Sequence, residues 1–203
     1  MKIKLFVVSI CLLMATGIHA QVKNLGVGGN FMGSSTINIS NSEDKALLYG
    51  SHFRPLIGGS IFYEAILGGM THMWEASYMM GKMESLDNGD NFIPEWGNSP
   101  AFESLKMASL FYYAGMTFNS GNRLQIPVYL GFGGNYNMAD PIKCLTFNIA
   151  AKARVKFYFT DTVGVYAGAG WKGGMGNQKV GDGARYSVTQ RGVNLEAGLT
   201  ISL

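Results

Sequence analysis

The sequence predicts an all-β fold, a membrane-spanning up-and-down antiparallel β-barrel of about eight strands. Apolar and polar residues alternate with a period of two in segment after segment, which is the pattern of half-exposed strands. The connections between these segments are alternately short and long. Glycine is abundant at 28 residues and charged residues make up only 14%, a composition typical of closed barrels.

The first residues, MKIKLFVVSICLLMATGIHA, have the pattern of a secretory signal peptide. Lys2 and Lys4 precede a short apolar run, and Ala20 stands at the expected cleavage site. That run is too short to cross a membrane. We therefore expect residues 1–20 to be removed near Ala20 and residues 21–203 to form one outer-membrane β-barrel domain.

Charge and cysteine content exclude two classes of protein. Removing residues 1–20 takes two lysines and no acids from 16 basic and 13 acidic residues, which leaves a net charge of +1. Such a balance argues against a nucleic-acid-binding protein. Cys144 would be the only remaining cysteine, so a fold held by intrachain disulfides is excluded and an inert thiol is expected.

Three segments carry the clearest alternation. One face of the segment 145–159 is apolar and the other carries Lys152, Arg154 and Lys156 among small and polar residues. The segments 124–136 and 192–203 alternate in the same way. The three apolar faces consist of Leu145, Phe147, Ile149, Ala151, Ala153, Val155, Phe157 and Phe159; of Leu124, Ile126, Val128, Leu130 and Phe132; and of Val193, Leu195, Ala197, Leu199, Ile201 and Leu203.

The connections indicate how the strands are arranged. The short ones are Leu67–Gly69, Asn119–Gly121 and Thr160–Thr162, which are rich in residues that tolerate tight turns. The long ones are predicted at about 34–53, 82–102, 137–144 and 173–188. An up-and-down membrane barrel has tight turns at one rim and long loops at the other.

The continuous apolar faces are expected to contact lipid. An eight-stranded barrel has an interior just wide enough for side chains, so the interrupted polar faces fit inside. Lys152, Arg154 and Lys156 then point inward. Aromatic residues near the strand ends would form two interfacial belts: Tyr78, Tyr136, Phe147 and Trp171 towards the long loops, and Tyr63, Phe118, Phe157 and Phe159 towards the short turns.

These features resemble the small outer-membrane β-barrels of OmpX/OmpA type. The stretch LQIPVYLGFGG (Leu124–Gly134) is similar to strands of the outer-membrane β-barrel domain family common in Bacteroidetes. The resemblance extends over residues 21–203 and is architectural. Such chains usually end in an aromatic residue, whereas this one ends in Leu203.

Three short motifs carry alternative functions. GAGWKG (Gly168–Gly173) matches a dinucleotide fingerprint, but no helix can follow it, so we interpret its glycines as facing a crowded interior. DNGDN (Asp87–Asn91) offers oxygen ligands without the spacing of a calcium loop. Ser51 and His52 lie in a predicted loop with Glu43 and Asp44, but adjacent residues of an extended chain point apart. No cofactor, metal or catalytic residue is therefore assigned, and His72 is expected to be structural near the short-turn rim.

The remaining group is a charge network inside the barrel. Lys152, Arg154 and Lys156 would face acids on other strands, for which Glu64, Glu75 and Glu196 are the candidates. Opposite charges in a narrow interior should pair, because an unpaired buried charge is costly. The network is thus expected to fill the interior.

Together these observations predict an integral protein of the cell outer membrane, with a structural or surface-interaction role and no enzymatic activity. The expected partners are outer-membrane lipid, the barrel assembly machinery and an extracellular partner at the long loops, with the protein itself monomeric. The alternatives are a lipid-modifying outer-membrane enzyme, a small ion-permeable pore and a soluble lipocalin-like carrier. The carrier would have polar outward faces.

Overall fold

The fold consists of ten antiparallel strand segments. The structure, a computed structural model, describes residues 22–33, 35–41, 47–53, 55–88, 104–139, 142–180 and 184–203, of which 35–41, 47–53, 83–88, 139, 142, 178–180 and 184–186 are described by backbone alone. Within these ranges, no helix is both long enough and apolar enough to cross a membrane.

Strands account for nearly all of the described chain. In chain order they are β1 (Val22–Met32), β2 (Ser35–Asn41), β3 (Leu47–Phe53), β4 (Leu56–Leu67), β5 (Met70–Asn88), β6 (Ser104–Phe118), β7 (Leu124–Ala139), β8 (Ile142–Tyr158), β9 (Val163–Val180) and β10 (Ala184–Ser202).

Eight of the strands form a closed barrel. Going around the wall, the order is β1, β4, β5, β6, β7, β8, β9 and β10, and every neighbouring pair is antiparallel. The ring closes where β1 pairs with β10, from Asn24 opposite Ser202 to Met32 opposite Asn194. The predicted eight-stranded up-and-down barrel is confirmed, and its closure leaves no unpaired strand edge in this part of the wall.

The hairpin formed by β2 and β3 continues the wall beyond β1 and β4, on the side of the long connections. β2 pairs with the upper part of β10, and β3 pairs with the upper part of β5. Met32 lies opposite Asn194 and Thr36 opposite Arg191, so the chain from Met32 to Thr36 contains one residue more than the facing stretch of β10. The prediction of a loop at 34–53 was wrong for most of its length, because two strands of seven residues each, with a register shift in their pairing, offer only a short alternation.

The other long connections are also shorter than predicted. β7 ends at Ala139 and β8 begins at Ile142. β9 ends at Val180 and β10 begins at Ala184. Strands β5 to β10 contain 15 to 19 residues, whereas about ten cross a membrane. The wall therefore projects about 10–20 Å beyond the hydrocarbon layer at this rim.

The opposite rim consists of tight turns, as predicted. Gly68 and Gly69 have φ angles of 55° and 90°, which is the left-handed pair that a two-residue hairpin requires. Asn119 and Gly121 also adopt positive φ. In the third turn the Thr160 hydroxyl accepts a hydrogen bond of 2.9 Å from the Val163 backbone N–H.

The outer surface of the barrel is apolar. Leu130 on β7, Ile149 on β8 and Val193 on β10 are all more than half exposed. The predicted apolar faces of these three strands therefore point outward. Aromatic side chains lie at both ends of this apolar band, as expected for the two membrane interfaces: Tyr78, Tyr136, Phe147 and Trp171 on the long-connection side, and Phe118, Phe157 and Phe159 on the short-turn side.

Candidate functional site: the charged interior of the barrel

Among the side chains that the structure describes, seven charged ones are buried inside the barrel, each at most 5% exposed. They include the six residues singled out from the sequence and one that was missed. In chain order they are Glu64, Glu75, Lys152, Arg154, Lys156, Lys172 and Glu196. The alternation of β8 places its three bases on one face, and the closed wall turns that face inward.

The centre of the network is formed by two bases that share two carboxylates. Arg154 donates through Nη2 to Glu75 at 2.6 Å and through Nε to Glu196. Lys152 donates to Glu75 at 2.6 Å and to Glu196 at 3.1 Å. Charge-assisted hydrogen bonds of this kind offset the cost of removing both partners from water. The four side chains therefore depend on one another.

A second cluster lies nearer the short turns. Lys156 forms an ion pair with Glu64. The same carboxylate accepts hydrogen bonds from the Asn24 amide at 2.6 Å and from the Tyr129 hydroxyl. Glu64 is thus held by donors from three other strands, β8, β1 and β7, so this cluster ties distant parts of the wall together.

Lys172 is the member that the sequence reasoning missed. Its Nζ lies 3.7 Å from a Glu75 oxygen and 4.5 Å from the centroid of the Phe111 ring. The residue belongs to the GAGWKG motif, in which only the glycines were interpreted as facing the interior. Alternation in β9 would have placed Lys172 on the same face as Gly168 and Gly170.

Aromatic rings surround the charges. The Arg154 guanidinium carbon is 4.2 Å from the Phe62 ring centroid and 4.7 Å from that of Tyr166. The Lys152 ammonium is 4.6 Å from the Tyr113 ring centroid. Cations placed over ring faces are stabilised by the ring quadrupole, most strongly where water is absent. Phe62, Tyr113 and Tyr166 lie on β4, β6 and β9, outside the three segments with the clearest alternation, so the sequence alone does not assign their rings to the interior.

The glycines of GAGWKG make room for this network. A Cβ atom at Gly168 would lie 2.8 Å from Arg154 Cγ and 3.0 Å from Glu196 Oε1. A Cβ atom at Gly170 would lie 2.8 Å from Lys152 Cβ. These spacings are shorter than real side chains tolerate, so both positions require glycine.

The charged contacts reach across the whole interior. In the ring of eight strands, β8 lies opposite β4. Arg154 and Lys156 on β8 contact Phe62 and Glu64 on β4. A hydrogen-bonded polar layer lies nearer the long connections and is formed by Asn135, Thr146 and Gln190. Side chains from facing walls therefore meet at the barrel axis.

The other candidates stand apart from this network. Ser51 and His52 are consecutive residues of β3 rather than members of a loop, and their side chains lie outside the described part of the structure. Asp87 and Asn88 end β5, and the rest of DNGDN lies outside the described residues. His72 lies near the short-turn rim, where its Nδ1 is 2.6 Å from the Tyr112 hydroxyl. Cys144 is a buried free cysteine.

The closed wall, the apolar exterior and the polar interior define the fold of a small eight-stranded outer-membrane β-barrel. Solved structures of this class are similar to the chain. OprG from Pseudomonas aeruginosa superimposes with a TM-score of 0.64 at 6% identity, over 93% of this chain and 98% of OprG. AlkL, solved in DMPC lipid bilayers, gives a TM-score of 0.55 at 10% identity, over 91% of this chain and 92% of AlkL.

These similarities concern the fold alone. No protein-family model matches the chain, and no curated protein matches it in sequence. The proposed relationship to the Bacteroidetes barrel family therefore stays a prediction.

Proposed function

We propose that the protein resides in the cell outer membrane and has a structural or surface-interaction role. Its own side chains close the interior of the barrel. In this view the barrel is monomeric, is surrounded by outer-membrane lipid and depends on the barrel assembly machinery for insertion. The proposal includes no enzymatic activity.

The contact of β8 with β4 across the interior carries the proposal. Lys156 and Arg154 both lie on β8. Lys156 pairs with Glu64 and Arg154 stacks on Phe62, and these two residues lie on β4, the strand opposite. Arg154 is also fixed by the carboxylates of Glu75 on β5 and Glu196 on β10. An interior only one side chain wide has little room left for solute once these contacts are made.

The long strands support the surface role. The wall rises beyond the apolar band on the side of the long connections, and the β2–β3 hairpin adds to its height. In bacterial barrels this rim faces the extracellular side. A rigid rim that stands above the membrane is suited to present the connections to an extracellular partner.

Planar-bilayer recording tests the closed interior. The purified protein should give no steady large conductance, because the ion pairs occupy the barrel axis. The double variant Glu64→Ala with Lys156→Ala removes one pair without stranding a charge, and it should also stay closed because the central pairs of Arg154 and Lys152 are retained. Stable ion-selective channels in the unmodified protein, with a selectivity that inverts in Arg154→Glu, would show that it is a small pore.

A further inference from the structure

We infer that the outer surface of β1, β4 and β5 holds one phospholipid molecule, with its phosphate between Lys23 and His72 and an acyl chain in the groove above them. The inference rests on the membrane placement proposed above. It concerns a face of the barrel that the interior network does not use.

A groove runs along this face of the wall. Its lower part has a volume of about 570 Å³ and is lined on these strands by Leu25, Val27, Ile61, Tyr63, Trp74 and Ala76; it also reaches residues of β6, β9 and β10. A second depression of about 400 Å³ shares Val27, Ile61 and Ala76 with it and extends to Gly59 and Tyr78. The two depressions form one apolar track that starts near the short turns.

Small residues produce the depth of the track. Gly59 lines it, and Gly29 is the direct cross-strand partner of Gly59. A Cβ atom at Gly59 would approach nothing closer than the Gly28 carbonyl oxygen at 3.4 Å, and one at Gly29 nothing closer than 4.0 Å. These glycines are not required by crowding, in contrast to Gly168 and Gly170 inside the barrel. The absent side chains leave space that an acyl chain can fill.

Two basic groups stand at the lower end of the track. Lys23, Ala65 and His72 are consecutive cross-strand partners on β1, β4 and β5. The Tyr112 hydroxyl forms a hydrogen bond with Nδ1 of His72. The second ring nitrogen, Nε2, is left for an external ligand. Among the described side chains, Lys23 forms no ion pair with an acid. A phosphodiester bound between these groups would receive the charge partner that Lys23 lacks.

The dimensions fit one leaflet of the membrane. Six residues separate the row of Lys23 from the row of Gly29, which is about 20 Å along a strand and about 14 Å along the normal of a barrel tilted by about 45°. Half of the hydrocarbon layer is about 15 Å thick. Because the short turns face the periplasm, this is the leaflet that phospholipids form. Lys23 favours an anionic headgroup such as phosphatidylglycerol over a zwitterionic one.

Tryptophan fluorescence provides the test, because the chain has three tryptophans and Trp74 lines the track. One reporter keeps Trp74 alone, with Trp96→Phe and Trp171→Phe. The control reporter keeps Trp171 alone, which is exposed on the far wall. Both are refolded into phosphatidylcholine bilayers with a minor fraction of phosphatidylglycerol that carries bromine on its acyl chains.

Trp171 should be quenched in proportion to the brominated fraction, as expected for general lipid contact. Trp74 should be quenched as strongly as if the brominated fraction were about tenfold higher. This excess corresponds to a preference of the site for phosphatidylglycerol over phosphatidylcholine of about 1.4 kcal/mol. Brominated phosphatidylcholine should remove the difference. Equal quenching of both reporters by the anionic lipid would overturn the inference, whereas failure to quench either would overturn the membrane placement itself.

Matched variants separate the headgroup from the track. In the Trp74 reporter, Lys23→Gln and His72→Gln should each reduce the excess quenching severalfold, and Lys23→Arg should retain it. Gly59→Leu should abolish it by filling the track. Gly134→Leu is the control, because Gly134 on β7 has equally open surroundings, with Leu145 Cδ1 at 3.4 Å from a built Cβ. Excess quenching that survives both Lys23→Gln and Gly59→Leu would contradict the assigned position.

Discussion

At the scale of single residues, Arg154 is the position on which most of the interior depends. It is held by Glu75 and Glu196 and stacks on Phe62 and Tyr166. Arg154→Glu would place three carboxylates together in the buried interior. Breaking a buried pair in this way should cost about 3–5 kcal/mol, measured by denaturant unfolding of the protein in lipid vesicles.

A compensating change identifies the dominant partner. Because Arg154 donates to Glu196 through Nε and again through Nη2, adding Glu196→Lys to Arg154→Glu should restore part of the loss. Glu64→Lys in the same background is the control and should restore nothing, since Glu64 pairs with Lys156. Equal rescue by both changes would mean that the pairing described for the interior is wrong.

Gly168 tests whether the interior is as tightly filled as the contacts indicate. A side chain here would collide with Arg154 Cγ and the Ala153 carbonyl oxygen, each 2.8 Å from a built Cβ. Gly168→Val should therefore destabilise the barrel by about 1–3 kcal/mol, the usual cost of overpacking. Gly134→Val, on the outer face of β7, should be nearly neutral in the same unfolding assay. A neutral Gly168→Val would indicate an interior with free space.

At the scale of elements, strand β8 separates lipid-facing from interior residues. Ala153 and Val155 lie outward, between the buried Lys152, Arg154 and Lys156. Ala153→Arg should cost about 2–4 kcal/mol, because it places a charge near the middle of the hydrocarbon layer. Ser120→Arg, at an exposed turn, should cost about 0–1 kcal/mol in the same vesicles. Equal costs at both positions would contradict the assigned membrane depth.

Strands with strict alternation were predicted correctly from the sequence, and strands without it were not. β7, β8 and β10 each have one continuous apolar face, so their orientation followed directly from the period of two. β2 and β3 lie in the projecting part of the wall, where no lipid selects an apolar face. Each contains only seven residues, and the alternation of Ile37 and Ile39 with polar neighbours in β2 is too short to identify a strand, so the segment was predicted as a loop.

The interior could be predicted only in part for a related reason. The bases of β8 were evident because three of them follow one another at every second position. Lys172 occurs once among glycines, and the rings of Phe62 and Tyr113 belong to strands that are aromatic on both faces. Partner choice also requires the order of strands around the ring and their tilt, which bring β8 opposite β4 and which no local pattern encodes.

At the scale of the whole molecule, the architecture combines a lipid-facing exterior with an interior closed by ion pairs. Closure satisfies the backbone hydrogen bonds of the crossing strands, which hydrocarbon requires. The pairs join the opposite walls, so the barrel should unfold as one cooperative unit. The same arrangement makes a soluble state unfavourable, since many large apolar side chains would then face water.

The most direct test of this account is where the protein resides in the cell and in what form. Cells producing the full-length protein are fractionated, and the fraction that contains it is compared by electrophoresis with and without heating. The protein should be recovered with the outer membrane and should give a band that changes mobility on heating, because a closed barrel resists detergent until it is boiled. Recovery as a soluble periplasmic protein with the same mobility in both samples would contradict it.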